Sequence, residues 1–285
     1  MTPAATPAVA PGPGPVPPVS ARPMGRLHAA VVDASATAER LLTKLRHDPS
    51  SLVLPLSAPV LLVLIFGYIF GSAITAPGHG NYREYLLPGL FVTITGNVMP
   101  SMVQTARDTT RGVLDRFRSM PIARTAIPFG QAAAQVVYGL ATLLLMSLCG
   151  LAIGWRVHRG WALAAAALGL LLAFQFAMPW LGMYLGLLIA KEDAAAQLGV
   201  LVIPVGMVSN IFVPTAGTPW WLRVIADWNP MSAVASAVRQ LLGNPNAPTN
   251  GAWPLEHAVL ATLLWTALLL VVVVPLCTRR YTRPA

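Results

Sequence analysis

Residues Leu255–Cys277 read LEHAVLATLLWTALLLVVVVPLC, and nothing after His257 in that stretch carries a charge. About 20 apolar residues in helical form cover roughly 30 Å, the hydrocarbon thickness of a bilayer. Working back through the chain, five more stretches of the same kind occur near Leu52–Ile74, Leu86–Thr105, Ala126–Trp155, Trp161–Ala190 and Ala194–Val213. The reading is an all-α membrane protein with six transmembrane helices.

The composition agrees. Of the 285 residues 55% are hydrophobic and 10% charged, so most apolar surface must face lipid or another helix, and no separate soluble domain fits between the spans. The net charge of +9 sorts by side of the membrane. Fourteen of the 19 Lys and Arg residues precede the first span, follow the second, fourth or sixth, and so share a face. Only Arg83, Arg156, Arg159, Arg223 and Arg239 fall on the other. Basic residues resist translocation, which puts both termini in the cytoplasm of a multi-pass protein of the bacterial inner membrane. The basicity therefore reports topology, and no nucleic-acid partner is expected. The two cysteines, Cys149 and Cys277, fall near opposite ends of their spans, ~25 Å apart, too far to pair. No Cys/His cluster has ligand spacing, so neither a metal nor a catalytic site is expected.

Residues 1–25 form a Pro-rich leader, expected to be disordered and lacking the apolar core of a secretory signal. Over residues 26–48 the pattern changes: Leu27, Val31, Ala34, Ala38, Leu41, Leu42 and Leu45 recur at helical spacing opposite Arg40, Lys44 and Arg46. That is an amphipathic interfacial helix. The transmembrane domain runs over 52–277, with a cytoplasmic loop at 106–124, an external loop at 214–254 and a tail at 278–285. The external loop reads as two short re-entrant or interfacial helices. One starts after Pro219, with Trp221, Val224, Ile225 and Trp228 on one stripe and Arg223 paired to Asp227. The other is capped by Asn229, shows Met231, Val234, Val238 and Leu241 on one face, and stops at Gly243.

No motor is present in the sequence. A phosphate-binding loop needs Gly-Lys before Ser or Thr, yet the only lysines, Lys44 and Lys191, follow Thr43 and Ala190. The first five spans hold no carboxylate, His or basic residue to couple to an ion gradient, and Glu256 and His257 sit at the outer lip of the sixth. Intramembrane proteolysis is excluded by the lack of Gly-x-Ser-Gly and of a mid-membrane His base. What remains is a membrane conduit driven from outside, or a non-transporting membrane scaffold.

The longest charged stretch is Arg107–Arg124. There Val113, Leu114, Phe117 and Met120 share one helical face, Arg111, Asp115 and Arg118 the other, and Pro121 ends the helix. Such a helix fits either a docking plug for a partner or a basic anchor.

At these residues the chain resembles the permease subunit of a type-two ABC exporter, in the branch typified by daunorubicin and doxorubicin resistance permeases. Tyr82-Arg-Glu-Tyr-Leu-Leu-Pro-Gly-Leu-Phe91 is similar to the family's Tyr-x-x-Phe-Leu-x-Pro-Gly at the start of the second span. Val113-Leu-Asp-Arg-Phe-Arg-Ser-Met-Pro-Ile-Ala-Arg124 is similar to its Arg-Phe-Arg-Ser-Leu-Pro-Ile loop signature, and Asn229-Pro-Met-Ser-Ala-Val-Ala-Ser-Ala-Val-Arg-Gln-Leu241 to its Asn-Pro segment. Tyr85 and Met120 replace the usual Phe and Leu. The resemblance covers residues 26 to 280. It implies a separate nucleotide-binding ATPase that binds ATP and Mg, with two permeases and two ATPases per exporter and no cofactor in this chain. It also implies that Arg111, Gly112, Leu114, Asp115, Arg116, Phe117, Arg118, Met120 and Pro121 couple to that ATPase, and that the 26–48 helix is the connecting helix beside them.

Six helices enclose little room, so a route for a bulky hydrophobic or amphiphilic compound is expected between two copies, or between this chain and a paralogous permease. Thr93, Asn97, Ser101 and Gln104 are spaced to stack along one face of the second span, Gln131 and Gln135 share a face of the third, and Asn210 lies in the fifth. These residues either line the pathway or dimer seam, or bond helix to helix. The expected function is drug or antibiotic efflux, with export of a lipid-linked or polysaccharide product as the alternative.

Overall fold

In the computed structural model residues 50–70, 81–113 and 126–282 are described, and every regular element among them is a helix. The leader, the connecting helix at 26–48 and coupling residues Leu114, Asp115, Arg116, Phe117, Arg118, Met120 and Pro121 lie outside the described residues. Helix α1 (Ser50–Ile65) runs into a π-helical turn at Phe66–Phe70. The second apolar stretch is two helices, α2 (Tyr82–Thr95) and α3 (Met99–Thr110). The long helices α4 (Ala126–Ala152) and α5 (Trp161–Ile189) follow, then α6 (Glu192–Met207). Short helices α7 (Trp220–Asp227), α8 (Pro230–Leu242) and α9 (Trp253–Glu256) precede α10 (Ala258–Thr282).

Four described segments are long and apolar enough to cross a membrane: Tyr82–Thr110, Pro128–Ala152, Trp161–Ile189 and Ala258–Tyr281, with Leu56–Ile69 a shorter apolar helix. The fifth expected span is shortened. Its helix ends at Met207, not Val213. The backbone beyond leaves helical geometry because its carbonyls are taken by side chains of other helices, as described below.

The α2–α3 break follows from local chemistry. Pro100 has no N–H to return to the Gly96 carbonyl, and the Asn97 side chain takes the Met99 N–H at 3.1 Å. A stripe drawn across a continuous helix is therefore lost. Asn97 and Gln104 are exposed, Thr93 is half-buried with its hydroxyl on the Gly89 carbonyl at 3.1 Å, and Ser101 is buried. Ser101 and Thr105 face two glycines of α5. A Cβ on Gly182 would meet the Val98 carbonyl oxygen at 2.5 Å, and one on Gly186 the Met102 carbonyl oxygen at 2.5 Å. The contact is the small-residue packing that lets two membrane helices approach backbone to backbone.

The short helices between α6 and α10 that the sequence predicts begin and end where expected. Pro219 precedes α7, the Asn229 side chain accepts from the Met231 N–H at 2.9 Å, and Gly243 closes α8 in the left-handed conformation, φ 75°. Trp221, Val224, Ile225 and Trp228 form an exposed stripe. Two details differ. Arg223 donates to the Thr218 carbonyl at 3.2 Å, whereas the buried Asp227 accepts from Thr215 at 2.6 Å, so the expected Arg223–Asp227 pair does not form. And α8 is buried nearly all round, because its Ser and Ala positions allow α5, α10 and α2 to close on it.

Candidate functional site

The first turn of α2 fastens three other parts of the molecule. Tyr82 donates to the Phe212 carbonyl at 3.0 Å. Arg83 donates to the carbonyls of Gly67 and Ile153, each at 2.9 Å, and stacks on Tyr68. Glu84 meets His158 at 3.0 Å across the α4–α5 loop. Tyr85 donates to the Asn210 carbonyl at 2.6 Å. The turn itself is started by Asn81, which accepts from the Arg83 N–H at 3.0 Å, with Glu84 favourably placed at the positive end of the helix.

Arg239 of α8 completes this cluster and is fully buried. Its Nε donates to the Tyr85 carbonyl at 2.9 Å, one Nη to the Asn210 carbonyl at 3.1 Å and the other to the Ile211 carbonyl at 2.8 Å. From the same helix Ser232 accepts the Asn210 N–H, and Ser236 accepts from Asn210 Nδ2, both at 3.0 Å. Asn229 Nδ2 reaches the Val208 carbonyl at 2.8 Å. These bonds take up the carbonyls of Val208, Asn210, Ile211 and Phe212 and the N–H of Asn210 in the irregular backbone after α6, as buried non-helical chain requires.

Asn210 is thus a buried structural bond-maker in this chain. Sequence reasoning assigned Arg239 only to the outer side and missed its role. A signal existed: Asn229, Ser232, Ser236 and Arg239 are spaced i, i+3, i+7 and i+10, one polar stripe on a helix whose only other polar side chain is Gln240.

A second polar feature is a cleft of about 240 Å³ where α1, the α2–α3 break, α4 and α5 converge. Asn97 and Gln135, both expected from the sequence, line it, together with Thr95, Tyr138, Thr142 and Gln175. Gln175 was not anticipated. Its carboxamide fills the space that Gly139 leaves open and donates to the Gln135 carbonyl at 2.9 Å, while its buried Oε1 has no partner. Gln131, one turn before Gln135, is half-buried, and its Nε2 is also unpaired.

From the cleft α3 runs directly to the segment expected from the sequence to couple to a partner. Of those expected coupling residues only Arg111 and Gly112 are described, and they form its C-terminal turn, Gly112 with φ 66°. Just before it, Arg107 binds Glu192 at the start of α6, with Nε 2.7 Å from Oε1, and Thr110 donates to the Ala190 carbonyl at 3.3 Å. The Arg107 hydrogen bond holds the Glu192 carboxyl below the usual carboxylate range. The C-terminal end of α3 and the N-terminal end of α6 are therefore tied together where the loop begins.

Comparison with known proteins gives a consistent result. The family model for ABC-2 type transporters matches residues 34–242. The chain is 30% identical over 246 residues to the daunorubicin resistance ABC transporter permease protein DrrB1 of Streptomyces coeruleorubidus, covering 85% of this chain and 83% of that protein. It is 23% identical over 237 residues to the probable doxorubicin resistance ABC transporter permease protein DrrC of Mycobacterium tuberculosis, 80% of each. To the probable multidrug ABC transporter permease YbhR of Escherichia coli it is 26% identical over 190 residues, 61% of this chain and 49% of the other.

Proposed function

The chain belongs to the ABC-2 type transporter family, and as such is a permease subunit of an ABC transporter. On that premise we propose that it exports hydrophobic or amphiphilic, drug-like compounds across the bacterial inner membrane with a separate ATPase that binds ATP and Mg. Two permease copies, or this chain with a paralogous permease, form the route, and lipid surrounds the rest. In this reading six spans place both termini in the cytoplasm, α1 and α6 supplying the two beyond the four long segments. The 26–48 helix lies beside the coupling loop on the inner surface.

The observation that carries the mechanism is the uninterrupted course of α3 from Met99 to Thr110. A push on the coupling residues Arg111, Gly112, Leu114, Asp115, Arg116, Phe117, Arg118, Met120 and Pro121 by the closing ATPase travels as a rigid rod. Through Arg107 and Glu192 it reaches α6, and through the glycine contact it reaches α5. Tilting of these helices then alters Thr93, Asn97, Gln104, Gln131 and Gln135, the polar groups proposed for the pathway or seam, with Ser101 holding α3 against α5 and Asn210 holding the segment after α6 against α8.

The experiment is Phe117→Asp with Met120→Asp. The purified complex is expected to lose its ATPase subunit and its drug-stimulated hydrolysis. Retention of both defeats the docking assignment. Accumulation assays with anthracyclines against lipid-linked sugars separate drug efflux from lipid-linked export, and failure to co-purify any ATPase leaves the scaffold reading.

A further inference from the structure

We propose that the apolar pocket between α4 and α5, at the loop that joins them, holds one acyl chain of an anionic phospholipid, with the lipid phosphate on Arg156 and Arg159. The lipid is a resident of the fold and not cargo, so the inference goes beyond the export reading. The pocket has a volume of about 290 Å³. Its wall follows α4 from Leu143 to Leu151, about 12 Å at the helical rise, close to the ~15 Å that one leaflet contributes to the hydrocarbon core. The polar side chains of the wall away from the mouth are spent. Ser147 donates its hydroxyl to the Leu143 carbonyl at 2.7 Å, and the Trp155 indole N–H goes to Asn244 Oδ1 at 3.0 Å. An alkyl chain fills such a slot without stranding a polar group.

The rim is built differently. Arg156 and Arg159 are both exposed, and each is tied back to the pocket's own wall. Arg156 Nη1 donates to the Leu151 carbonyl at 2.6 Å, at the end of α4. Arg159 Nη1 donates to the Gln240 carbonyl at 3.0 Å, between the wall residues Val238 and Leu242 of α8. Nε and Nη2 of both side chains take no partner among the described residues, and neither guanidinium forms an ion pair there. Glu84, the carboxylate that meets this loop, is held by His158 at 3.0 Å. Two anchored guanidinium forks with spare N–H groups, set at the end of a dry apolar slot, match a phosphate joined to a fatty chain. Trp161, 78% exposed at the start of α5, suits this end to headgroup depth. A second copy of the chain fits less well, since a two-fold contact centred here sets these arginines against their own images.

The test uses the purified full-length permease in phosphatidylcholine nanodiscs doped with phosphatidylglycerol whose acyl chain carries a diazirine, with cross-linked peptides mapped after illumination. Labelling is expected on the α4 and α5 residues of the pocket, competed by unlabelled phosphatidylglycerol and not by phosphatidylcholine. Arg156→Gln with Arg159→Gln should lower it about tenfold. Ala165→Trp, an exposed wall position whose new indole fills the slot, should lower it as far with both arginines in place. Labelling on the exposed face of α10, around Leu263 and Val271, reports bulk lipid and should stay level in every variant. Thermal unfolding is followed in parallel, so that only variants melting like the parent are compared, and the arginine and tryptophan variants test the site independently.

The proposal is overturned if pocket labelling is no stronger than that on α10, or if it survives the substitutions. It is overturned equally if a diazirine phosphatidylcholine labels the pocket as well and ignores the arginine variants, which would leave an uncharged groove. Competition by inorganic phosphate alone would assign the rim to a free anion. Protection of the pocket in a permease dimer but not in the dissociated monomer would assign it to subunit contact. Labelling is read without the ATPase or any cargo, so these failures leave the export reading standing. Loss of that reading shows instead as normal labelling with no efflux in cells.

Discussion

The guanidinium carbon of Arg239 lies 3.7 Å from the centroid of the Tyr85 ring, while Nε of the same side chain donates to the Tyr85 backbone carbonyl at 2.9 Å. One residue of α2 thus holds one residue of α8 by both its face and its main chain. Because Tyr85 and Arg239 also share the Asn210 carbonyl, the two helices and the irregular segment after α6 act as one body. Tyr82–Phe91 and Asn229–Leu241, the two segments with family-like patterns there, meet at this point.

Arg239→Met, which keeps much of the volume, strands the carbonyls of Tyr85, Asn210 and Ile211. Three lost bonds at roughly 0.6–1.5 kcal/mol each predict a destabilisation of about 2–4 kcal/mol. Thermal unfolding in detergent should show it, and Arg239→Lys should recover only part, since an ammonium cannot reproduce the fork. A lysine variant as stable as the parent would contradict the geometry.

Gly182→Val should force α3 from α5, because its Cβ would lie 2.5 Å from the Val98 carbonyl oxygen. Overpacking of this kind costs about 1–3 kcal/mol. Gly169 of the same helix has nothing within 4 Å of an added Cβ, so Gly169→Val serves as the control. Equal melting of the two variants would refute close backbone contact at Gly182.

Reversing Arg107 to Glu should uncouple drug-stimulated hydrolysis in the assembled transporter, and adding Glu192→Arg should restore a measurable part. No rescue in the double variant means that the pair does not link α3 to α6.

The same pair sets a pH dependence. The Glu192 carboxyl is held below its ordinary 4.5 by the Arg107 hydrogen bond, so the pair's contribution is present above the unfolded value and lost as pH falls through the lowered folded one. Stability of the parent relative to Glu192→Gln should therefore stay constant from pH 8 to about 5 and converge only below. Convergence already near pH 6 would rule out the lowered value. Both side chains face water, so the difference itself is small and salt-sensitive.

The apolar stripe of α7 is exposed, with Trp220 at 75% and Trp221, Val224, Ile225 and Trp228 each above half. Tryptophan favours the depth of the lipid headgroups. Brominated lipid should quench the fluorescence of α7, and Trp221→Phe with Trp228→Phe should remove part of that quenching. Undiminished quenching would place the stripe elsewhere.

How much was legible depends on the range of the forces involved. The apolar runs, the Asn229 cap, the Gly243 stop and the stripe of α7 could be read from the linear order because each is decided by a residue and its near neighbours. Bilayer thickness and helix rise act on any such run alike. The signals for the α2–α3 break were also local, Gly96, Asn97 and Pro100 standing together, but a strong apolar average hid them.

What only the tertiary structure decided is where polar groups are spent. The same helical face offered Asn97 to the open cleft and turned Ser101 into α5, because two glycines on another helix made room. Arg239 looked like an outer-side charge, yet it is buried, since its acceptors come from Tyr85, 154 residues away, and from Asn210 and Ile211 beyond the end of α6. A buried cation is tolerable only when distant carbonyls converge on it, and that convergence is a property of the packed chain.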